Sequence, residues 1–329
     1  MTGIRGSESR IVSQSHFLDI PAPLSTIHRG SMETIAIVNP VAGRAHGAKM
    51  REQALPELRR LVPGLKVVES SAPGHATELA RQHAGAGLII AVGGDGTVRE
   101  VAAGLVGNSA ELAVVPAGSG NDFNKTVGIP RDVLEACQVA ASGTARPIDL
   151  ARLTASGEEE PRSWVYANAA GFGFDALVIA EARKSAHLRG MPLYLSAVFR
   201  AVRSYDCPPV EITINDRTWR QEVLLLAAAN GHCYGGGMRI APEAKPDDGL
   251  LEICIIEAVG RLKVMRYLPK LVKGTHVSLD EVTMHRAPTL RLAFDDPVLL
   301  QLDGDLIEVS RYRRFRIESL PAALRVRTR

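Results

Sequence analysis

The stretch LIIAVGGDGTVRE, residues 88–100, is the part of the sequence that decides how this chain folds. A run of apolar residues typical of a buried strand leads into GGDGT at residues 93–97, and a helical pattern follows. Glycines let backbone N–H groups approach phosphate oxygens closely, and the start of the next helix offers the positive end of its dipole. The stretch therefore predicts either a phosphate-binding loop or a tight strand-to-helix turn that holds no ligand.

Two further predicted strands end in loops of the same kind. The loop after the predicted strand 112–115 reads PAGSGNDFNK at residues 116–125. The loop after the predicted strand 34–38 reads NPVAGR at residues 39–44. No Gly-Lys-Ser/Thr follows these glycines, and Arg99 stands where a dinucleotide fingerprint needs its third glycine, so both standard nucleotide motifs are excluded. Three glycine-rich loops with Asp95 and Asp122 among them favour one shared binding site over three unrelated turns.

The chain divides into two halves with different patterns. Up to about residue 150, β-rich runs alternate with amphipathic segments, which predicts an α/β domain with a mostly parallel sheet flanked by helices. The predicted strands are 34–38, 66–69, 88–92 and 112–115, and the predicted helices are 48–61, 76–83, 98–106 and 131–141. After residue 148, short β-rich runs predict antiparallel strands, with one helical segment at about 176–205 and a hairpin turn at Asn215 and Asp216.

Composition limits the classes of protein. The 329 residues are 46% hydrophobic and 23% charged with a net charge of +3, which excludes a disordered chain and argues against wholesale nucleic-acid binding. No apolar run approaches the roughly 18 residues that span a bilayer. The four cysteines lie far apart, which indicates neither a zinc site nor a disulfide framework and favours a cytoplasmic location. Residues 1–31 lack periodicity and are predicted to be a mobile leader, with Met32 an alternative start.

Six ordered motifs resemble the diacylglycerol kinase and sphingosine kinase catalytic family, in particular its soluble bacterial lipid kinases. They are VNPVAGR (38–44), GGDGT (93–97), PAGSGNDF (116–123), NAAGFGFDA (168–176), GGGMRIAPEAKPDDGLL (235–251) and LDGD (302–305). The resemblance implies an ATP-binding α/β domain at 32–148, an antiparallel β-sandwich lipid-acceptor domain at 149–314 and a cleft between them. It also implies that closing strands at about 315–329 return to the first domain.

Site residues follow from the resemblance, position by position. Asp95 and Asp122 match acidic positions that the family uses around ATP and magnesium, which suits a triphosphate that needs a divalent ion to offset its charge. For Asp122 the alternative is capping of the following turn. The residues expected to bind ATP are Asn39, Gly43, Arg44, Ser70, Gly93, Gly94, Asp95, Gly96, Thr97, Val98, Arg99, Ser119 and Asn121.

Asp305 is the expected general base, and it departs from the family pattern. Bacterial relatives usually read Asp-Gly-Glu where this chain reads Asp303, Gly304 and Asp305. An aspartate has the chemistry of a glutamate but withdraws the carboxylate by about one C–C bond, roughly 1.5 Å. Either the backbone compensates for this loss, or the kinase is slow or altered. The alternative is a plain hairpin turn in which both aspartates are solvated.

A second metal site is implied by the loop PDDGLL. Asp248 with the backbone carbonyls of Lys245 and Leu250 resembles a structural magnesium site of the bacterial relatives, away from the chemistry. The alternative is a simple Asp-Gly turn.

Taken with the resemblance, the sequence predicts an ATP- and Mg²⁺-dependent lipid kinase, with diacylglycerol as the expected acceptor and phosphatidic acid as the product. A sphingoid base, phosphatidylglycerol and a soluble metabolite are left open as acceptors. The alternative to a kinase is a catalytically weakened lipid- or nucleotide-binding protein. The expected partners are ATP and a lipid substrate at the membrane surface through transient peripheral contact, with no nucleic acid and with a homodimer left open.

Overall fold

The computed structural model describes residues 33–184 and 190–329, with the side chains of residues 44, 45 and 190–194 left out. The predicted mobile leader at 1–31 and the alternative start at residue 32 lie outside the described residues.

The N-terminal half is a parallel sheet flanked by helices. Its strands are β1 (Thr34–Val38), β2 (Lys66–Glu69), β3 (Leu88–Gly93) and β4 (Glu111–Pro116), and they lie in the order β4-β3-β1-β2 with every pair parallel. Its helices are α1 (Arg44–Leu61), α2 (His75–Gln82), α3 (Asp95–Leu105), α4 (Asp122–Val127) and α5 (Val133–Ser142). The predicted α/β class is confirmed. β3 lies at the centre and is buried at every position, which explains its continuous apolar run.

Two long strands run through both halves of the chain. β5 (Thr144–Gly157) and β15 (Tyr312–Thr328) pair antiparallel along almost their whole length, and the end of β15 pairs in parallel with β4. A bulge between Leu320 and Leu324 leaves Ala322 with a φ of 50°. Buried Asp149 accepts a hydrogen bond of 2.7 Å from the Ala322 N–H and stabilises this conformation. The two halves are therefore joined by continuous β structure as well as by loops.

The C-terminal half is a β-sandwich. The remaining strands are β6 (Arg162–Tyr166), β7 (Ala169–Gly173), β8 (Pro209–Ile214), β9 (Arg217–Ala229), β10 (Leu251–Glu257), β11 (Val282–Ala287), β12 (Thr289–Phe294), β13 (Leu300–Leu302) and β14 (Asp305–Ile307). β9 pairs first with β8 and then with β7 and β10, so it passes from one sheet to the other. Phe172, Phe294 and Phe315 pack together between the sheets. Asn215 and Asp216 form the predicted turn, with φ values of 48° and 65°.

In the part of the chain that the structure describes, three α-helices belong to the C-terminal half, and only part of them was predicted from the sequence. The predicted segment at 176–205 contains α6 (Phe174–Arg183) and α7 (Gly190–Ser204). α8 (Arg261–Lys273) was missed, so the expectation of one helical segment is wrong. Its buried residues Val264, Leu268 and Leu271 have helical spacing, but Pro269 interrupts the pattern. In the part of the chain that the structure describes, no helix is long and apolar enough to cross a membrane.

Candidate active site

A cleft of about 900 Å³ lies where the carboxyl ends of the parallel strands face the β13–β14 hairpin. The loops after β1, β3 and β4 form one wall, and the hairpin and the end of α6 form the other. Parallel strands expose their carboxyl ends at one edge of a sheet, where ligands of open α/β folds bind. The three glycine-rich loops therefore line one cleft, where the sequence predicts a shared binding site.

Close packing between two of these loops explains two of their glycines. A Cβ atom on Gly118 would lie 2.4 Å from the Gly94 Cα, and one on Gly94 would lie 3.0 Å from the Gly118 Cα. Only glycines fit at this contact. The contact places the start of α3 at the cleft, and no side chain caps its first turn. The first N–H groups of a helix have no intrahelical partner, so they form a ready anion-binding site.

Asp95 and Asp122 face each other across Gly120. A Cβ atom on Gly120 would lie 2.8 Å from Asp95 Oδ2 and 3.4 Å from Asp122 Oδ2. Burial, followed by the nearby charge of Asp122, raises the pKa of Asp95 to about 7, although the Phe123 N–H donates to Asp95 Oδ1 at 3.0 Å and opposes the shift. The two carboxylates thus form an acidic pair in which Asp95 has no ion-pair partner among the described residues.

Asp122 is buried and held from two sides. Lys125 Nζ lies 2.7 Å from its Oδ1, and the Gly236 N–H donates to its Oδ2 at 2.7 Å. Gly236 belongs to the loop after β9, so this carboxylate links the two halves of the chain. Its contacts reach beyond the following turn, which is more than the alternative of turn capping requires.

Asp305 reaches the cleft from the opposite wall. Asp303 and Gly304 form the two-residue turn between β13 and β14, with φ values of 49° and 88°, and Asp305 is the first residue of β14. Arg99 donates to Asp305 Oδ2 at 2.9 Å, and the Arg183 guanidinium lies 3.8 Å from Oδ1. The Asp305 side chain is 44% exposed, so its carboxylate is accessible from the cleft.

Buried groups fix the position of this hairpin. Asp303 is only 8% exposed, and its carboxylate accepts hydrogen bonds of 2.8–2.9 Å from the N–H groups of residues 167, 168 and 169. Burial raises the pKa of Asp303, and these three donors oppose the shift. The alternative of two solvated aspartates is therefore wrong for Asp303. Beneath the turn, the Gly304 N–H donates to Gln301 Oε1 at 2.8 Å, and Gln301 Nε2 donates to buried Asp175 at 3.2 Å.

The structure brings most of the predicted site residues together. Those that line the cleft are Asn39, Gly43, Ser70, Gly94, Asp95, Gly96, Thr97, Arg99, Ser119, Asp122 and Asp305. Gly93 and Val98 lie behind the loop, and the Asn121 side chain bonds both backbone groups of Gly118, so it shapes the loop from within. The side chain of Arg44 is not among those described.

The sequence analysis missed Arg183 and the buried role of Asp303. Arg183 ends α6, eight residues after Asp175 of the fourth motif, and lines the cleft beside Asp305. Nothing in the local pattern marks it, because it looks like an ordinary charged residue on a helix. Asp303 was named only as part of a turn, and its backbone partners lie more than 130 residues away in the sequence.

The loop predicted to hold a structural magnesium ion has a different partner. Asp248 Oδ1 accepts a hydrogen bond of 3.0 Å from the Leu250 N–H, and its other oxygen forms an ion pair with Arg286. Arg286 also lies 3.3 Å from Glu252, which neighbours it on the paired strand. The Arg286 guanidinium thus binds the Asp248 carboxylate that was expected to hold the magnesium ion. The loop with Lys245, Asp248 and Leu250 therefore does not fit magnesium in this arrangement.

Comparisons with known proteins give the family. The model of the diacylglycerol kinase catalytic domain matches residues 33–153, and that of the YegS C-terminal NAD kinase beta sandwich-like domain matches residues 168–328. A probable lipid kinase YegS-like of Xanthomonas oryzae pv. oryzae is 34% identical over 74% of this chain and 79% of the relative. A diacylglycerol kinase of Mycobacterium tuberculosis is 30% identical over 88% of this chain and 93% of the relative.

Solved structures agree on the fold. A crystal structure of a diacylglycerol kinase from Bacillus anthracis str. Sterne superposes with a TM-score of 0.68 at 22% identity, covering 92% of this chain and 98% of the other. Yeast NADH kinase complexed with NADH shares the fold more distantly, with a TM-score of 0.51 at 10% identity, over 91% of this chain and 83% of the other. From the relatives above, the chain belongs to the lipid kinase family that joins a diacylglycerol kinase catalytic domain to a YegS-type C-terminal domain.

Proposed function

We propose that this kinase transfers the γ-phosphoryl group of ATP to the free hydroxyl of diacylglycerol and forms phosphatidic acid. One observation carries the proposal: the Asp305 carboxylate, on one wall of the cleft, lies against the glycine-rich turn that opens α3 on the other wall. A carboxylate beside a phosphate-binding turn suits the transfer of a phosphoryl group to a hydroxyl. The M. tuberculosis relative, which is named a diacylglycerol kinase, supports this acceptor.

The phosphates of ATP would lie on the first turn of α3. Backbone N–H groups at residues 95–97 are the donors that a helix start leaves unpaired, and Asn39 Nδ2 donates to Thr97 Oγ1 at 3.0 Å, which fixes the neighbouring loop against this turn. Arg99 lines the same cleft. Its side chain is only 14% exposed, and it would balance negative charge on the transferred group while it holds Asp305.

Magnesium is part of the proposal because Asp95, which has no ion pair among the described residues, lines the cleft beside Asp122. A bound ion would displace the Lys125 ammonium from Asp122. Carboxylate oxygens are the ligands that Mg²⁺ prefers, and it usually binds through one or two carboxylates together with substrate phosphates. The described residues contain no group of three or more His, Cys, Asp or Glu side chains placed to hold a metal ion, so ATP would complete the coordination. Bound there, the ion would offset charge on the phosphate oxygens. Burial and the nearby charge of Asp122 raise the pKa of Asp95, and a bound cation would lower it again.

Asp305 would take the proton of the acceptor hydroxyl. Arg99 holds its Oδ2, while among the described residues Oδ1 has only the longer contact of 3.8 Å with Arg183. We assign Oδ1 as the atom that receives the proton, because it is the less engaged of the two oxygens. The oxygen of the hydroxyl would then bond to the γ-phosphorus as ADP leaves. Buried Asp303 and Gln301 act on this step by holding the hairpin in place.

The test is the transfer of label from γ-labelled ATP and magnesium into diacylglycerol, sphingosine and phosphatidylglycerol in mixed micelles. We expect labelled phosphatidic acid from the native protein and at least about a hundredfold less from Asp305→Asn, with ATP affinity little changed. Asp216→Asn is the matched control, since Asp216 lies in the β8–β9 turn outside the cleft. Label in another lipid would reassign the acceptor. ATP binding without label in any lipid would favour a soluble acceptor or a binding protein.

A further inference from the structure

Helix α8 presents an apolar stripe to solvent. Its inner face, which includes Val264 and Leu268, packs on the C-terminal core. The residues of the stripe are exposed and spaced three, four and three residues apart: Leu262, Met265, Pro269 and Val272. Leu262 is 84% exposed and Val272 is 50% exposed. Single exposed apolar residues are ordinary, but a continuous outward stripe on a helix marks an interaction surface.

The same helix is strongly basic. It contains no acidic residue, and its basic residues flank the stripe: Arg261, Lys263, Arg266, Lys270 and Lys273. Lys263 pairs with Glu281 at 2.6 Å. The other four make no ion pair with any residue that the structure describes. An apolar stripe bordered by free positive charge is the pattern of helices that lie in the interface of an anionic membrane.

Neighbouring elements extend this surface and connect it to the cleft. α7 packs beside α8 and exposes Leu195 and Phe199, with the Arg203 guanidinium 5.8 Å from the Phe199 ring centroid. At the other end of α8, the Leu271 carbonyl accepts a hydrogen bond of 3.2 Å from the N–H of Arg239. Arg239 follows the loop whose Gly236 contacts Asp122 in the cleft. Backbone hydrogen bonding therefore connects this surface to the loop that contacts Asp122 in the cleft.

We propose that this docking face, formed by the α8 stripe with Leu195 and Phe199, seats the kinase on an anionic phospholipid bilayer. The apolar side chains would enter the boundary between headgroups and acyl chains, and the basic residues would contact lipid phosphates. Charge complementarity selects this occupant over a neutral protein surface. The inference deepens the proposed function, since it supplies the route by which the cleft reaches a lipid that stays in the membrane.

Vesicle sedimentation tests the proposal without the reaction. The probes are phosphatidylcholine vesicles with and without phosphatidylglycerol. We expect the native protein to prefer the anionic vesicles, Leu262→Gln with Val272→Gln to lower that binding about tenfold, and Arg266→Gln with Lys273→Gln to remove the preference. Leu134→Gln and Arg59→Gln, exposed on other helices, are the matched controls and should bind as the native protein does. Native protein that ignores both vesicles, or double variants that bind normally, would overturn the proposal.

Two further measurements separate this inference from its rivals. A short-chain diacylglycerol dissolved in water should be phosphorylated equally by the native protein and the Leu262→Gln, Val272→Gln variant, whereas diacylglycerol in vesicles should be phosphorylated more slowly by the variant. If no lipid is phosphorylated yet vesicle binding still needs the stripe, the docking face stands and the proposed function fails. If sedimentation velocity shows that the variant turns a dimer into a monomer, the face belongs to a second copy and the proposal is wrong.

Discussion

Gly96→Ala separates catalytic geometry from stability at a single position. Gly96 lies in the first turn of α3, and a Cβ atom there would lie 2.8 Å from Asp305 Oδ2, against at least 3.4 Å for an ordinary contact. The Asp305 carboxylate must therefore retreat by about 0.6 Å, the difference between these distances. A misplacement near 1 Å can cost on the order of a hundredfold in rate, so we expect kcat to fall about tenfold.

The stability of the fold should not suffer from this change. Alanine favours a helix over glycine by up to about 1 kcal/mol, and the only group the new methyl meets is the end of a partly exposed side chain. The assay is therefore a pair of measurements, the rate of phosphate transfer to diacylglycerol and the midpoint of thermal unfolding. Slower transfer with an unchanged or higher unfolding midpoint is the expected result.

A double-mutant cycle decides whether the effect runs through Asp305. A methyl group at Gly96 could also obstruct the phosphates, which would slow transfer for a different reason. In the Asp305→Ala background the methyl has no carboxylate to displace, so Gly96→Ala should change the residual rate by less than about twofold. An equal loss in both backgrounds would refute the contact as the cause and point to obstruction of the nucleotide.

Three further changes test the remaining parts of the site. Asp305→Glu should lower kcat, because about 1.5 Å of extra reach drives the carboxylate into the contact at Gly96. A faster variant would show that the native Asp305 carboxylate does not reach the acceptor hydroxyl well. Arg183→Gln should slow transfer by up to about fivefold and leave thermal unfolding unchanged, as expected for an exposed charge 3.8 Å from Asp305. A lower unfolding midpoint would show that Arg183 has a structural role instead. Burial raises the pKa of Asp175 to about 6, above its ordinary 3.8. The protonated carboxyl therefore adds about 3 kcal/mol to the free energy of unfolding at low pH, and this contribution is lost as the pH rises through about 6. Unfolding free energies at several pH values should therefore shift in favour of Asp175→Asn as the pH rises, and parallel curves would contradict the raised pKa.

The parallel sheet and its three loops could be predicted from the sequence because their signals are local. The apolar run of β3 and the glycines after it stand side by side in the chain. The contact between Arg99 and Asp305 has no such signal, since the two residues are 206 positions apart and meet only through the pairing of the strands. Arg183 could not be predicted for the same reason, because it meets Asp305 only in the folded chain. The residues of α8 did carry a helical pattern, but it was masked by Pro269 and by the surrounding β-rich runs.

The position of Asp305 bears on whether a short base can work. The residue stands on a hairpin whose turn is tied by three N–H groups to Asp303 and by Gln301 to Gly304, so little freedom is left to the backbone. From that fixed position its carboxylate already touches the turn that would hold the phosphates, at the one place where a glycine leaves room. In the proposed mechanism, the position of the hairpin would offset the lost methylene. This position favours an active kinase over a binding protein, because a carboxylate beside the start of α3 is suited to take the proton of a hydroxyl that attacks a phosphate bound there.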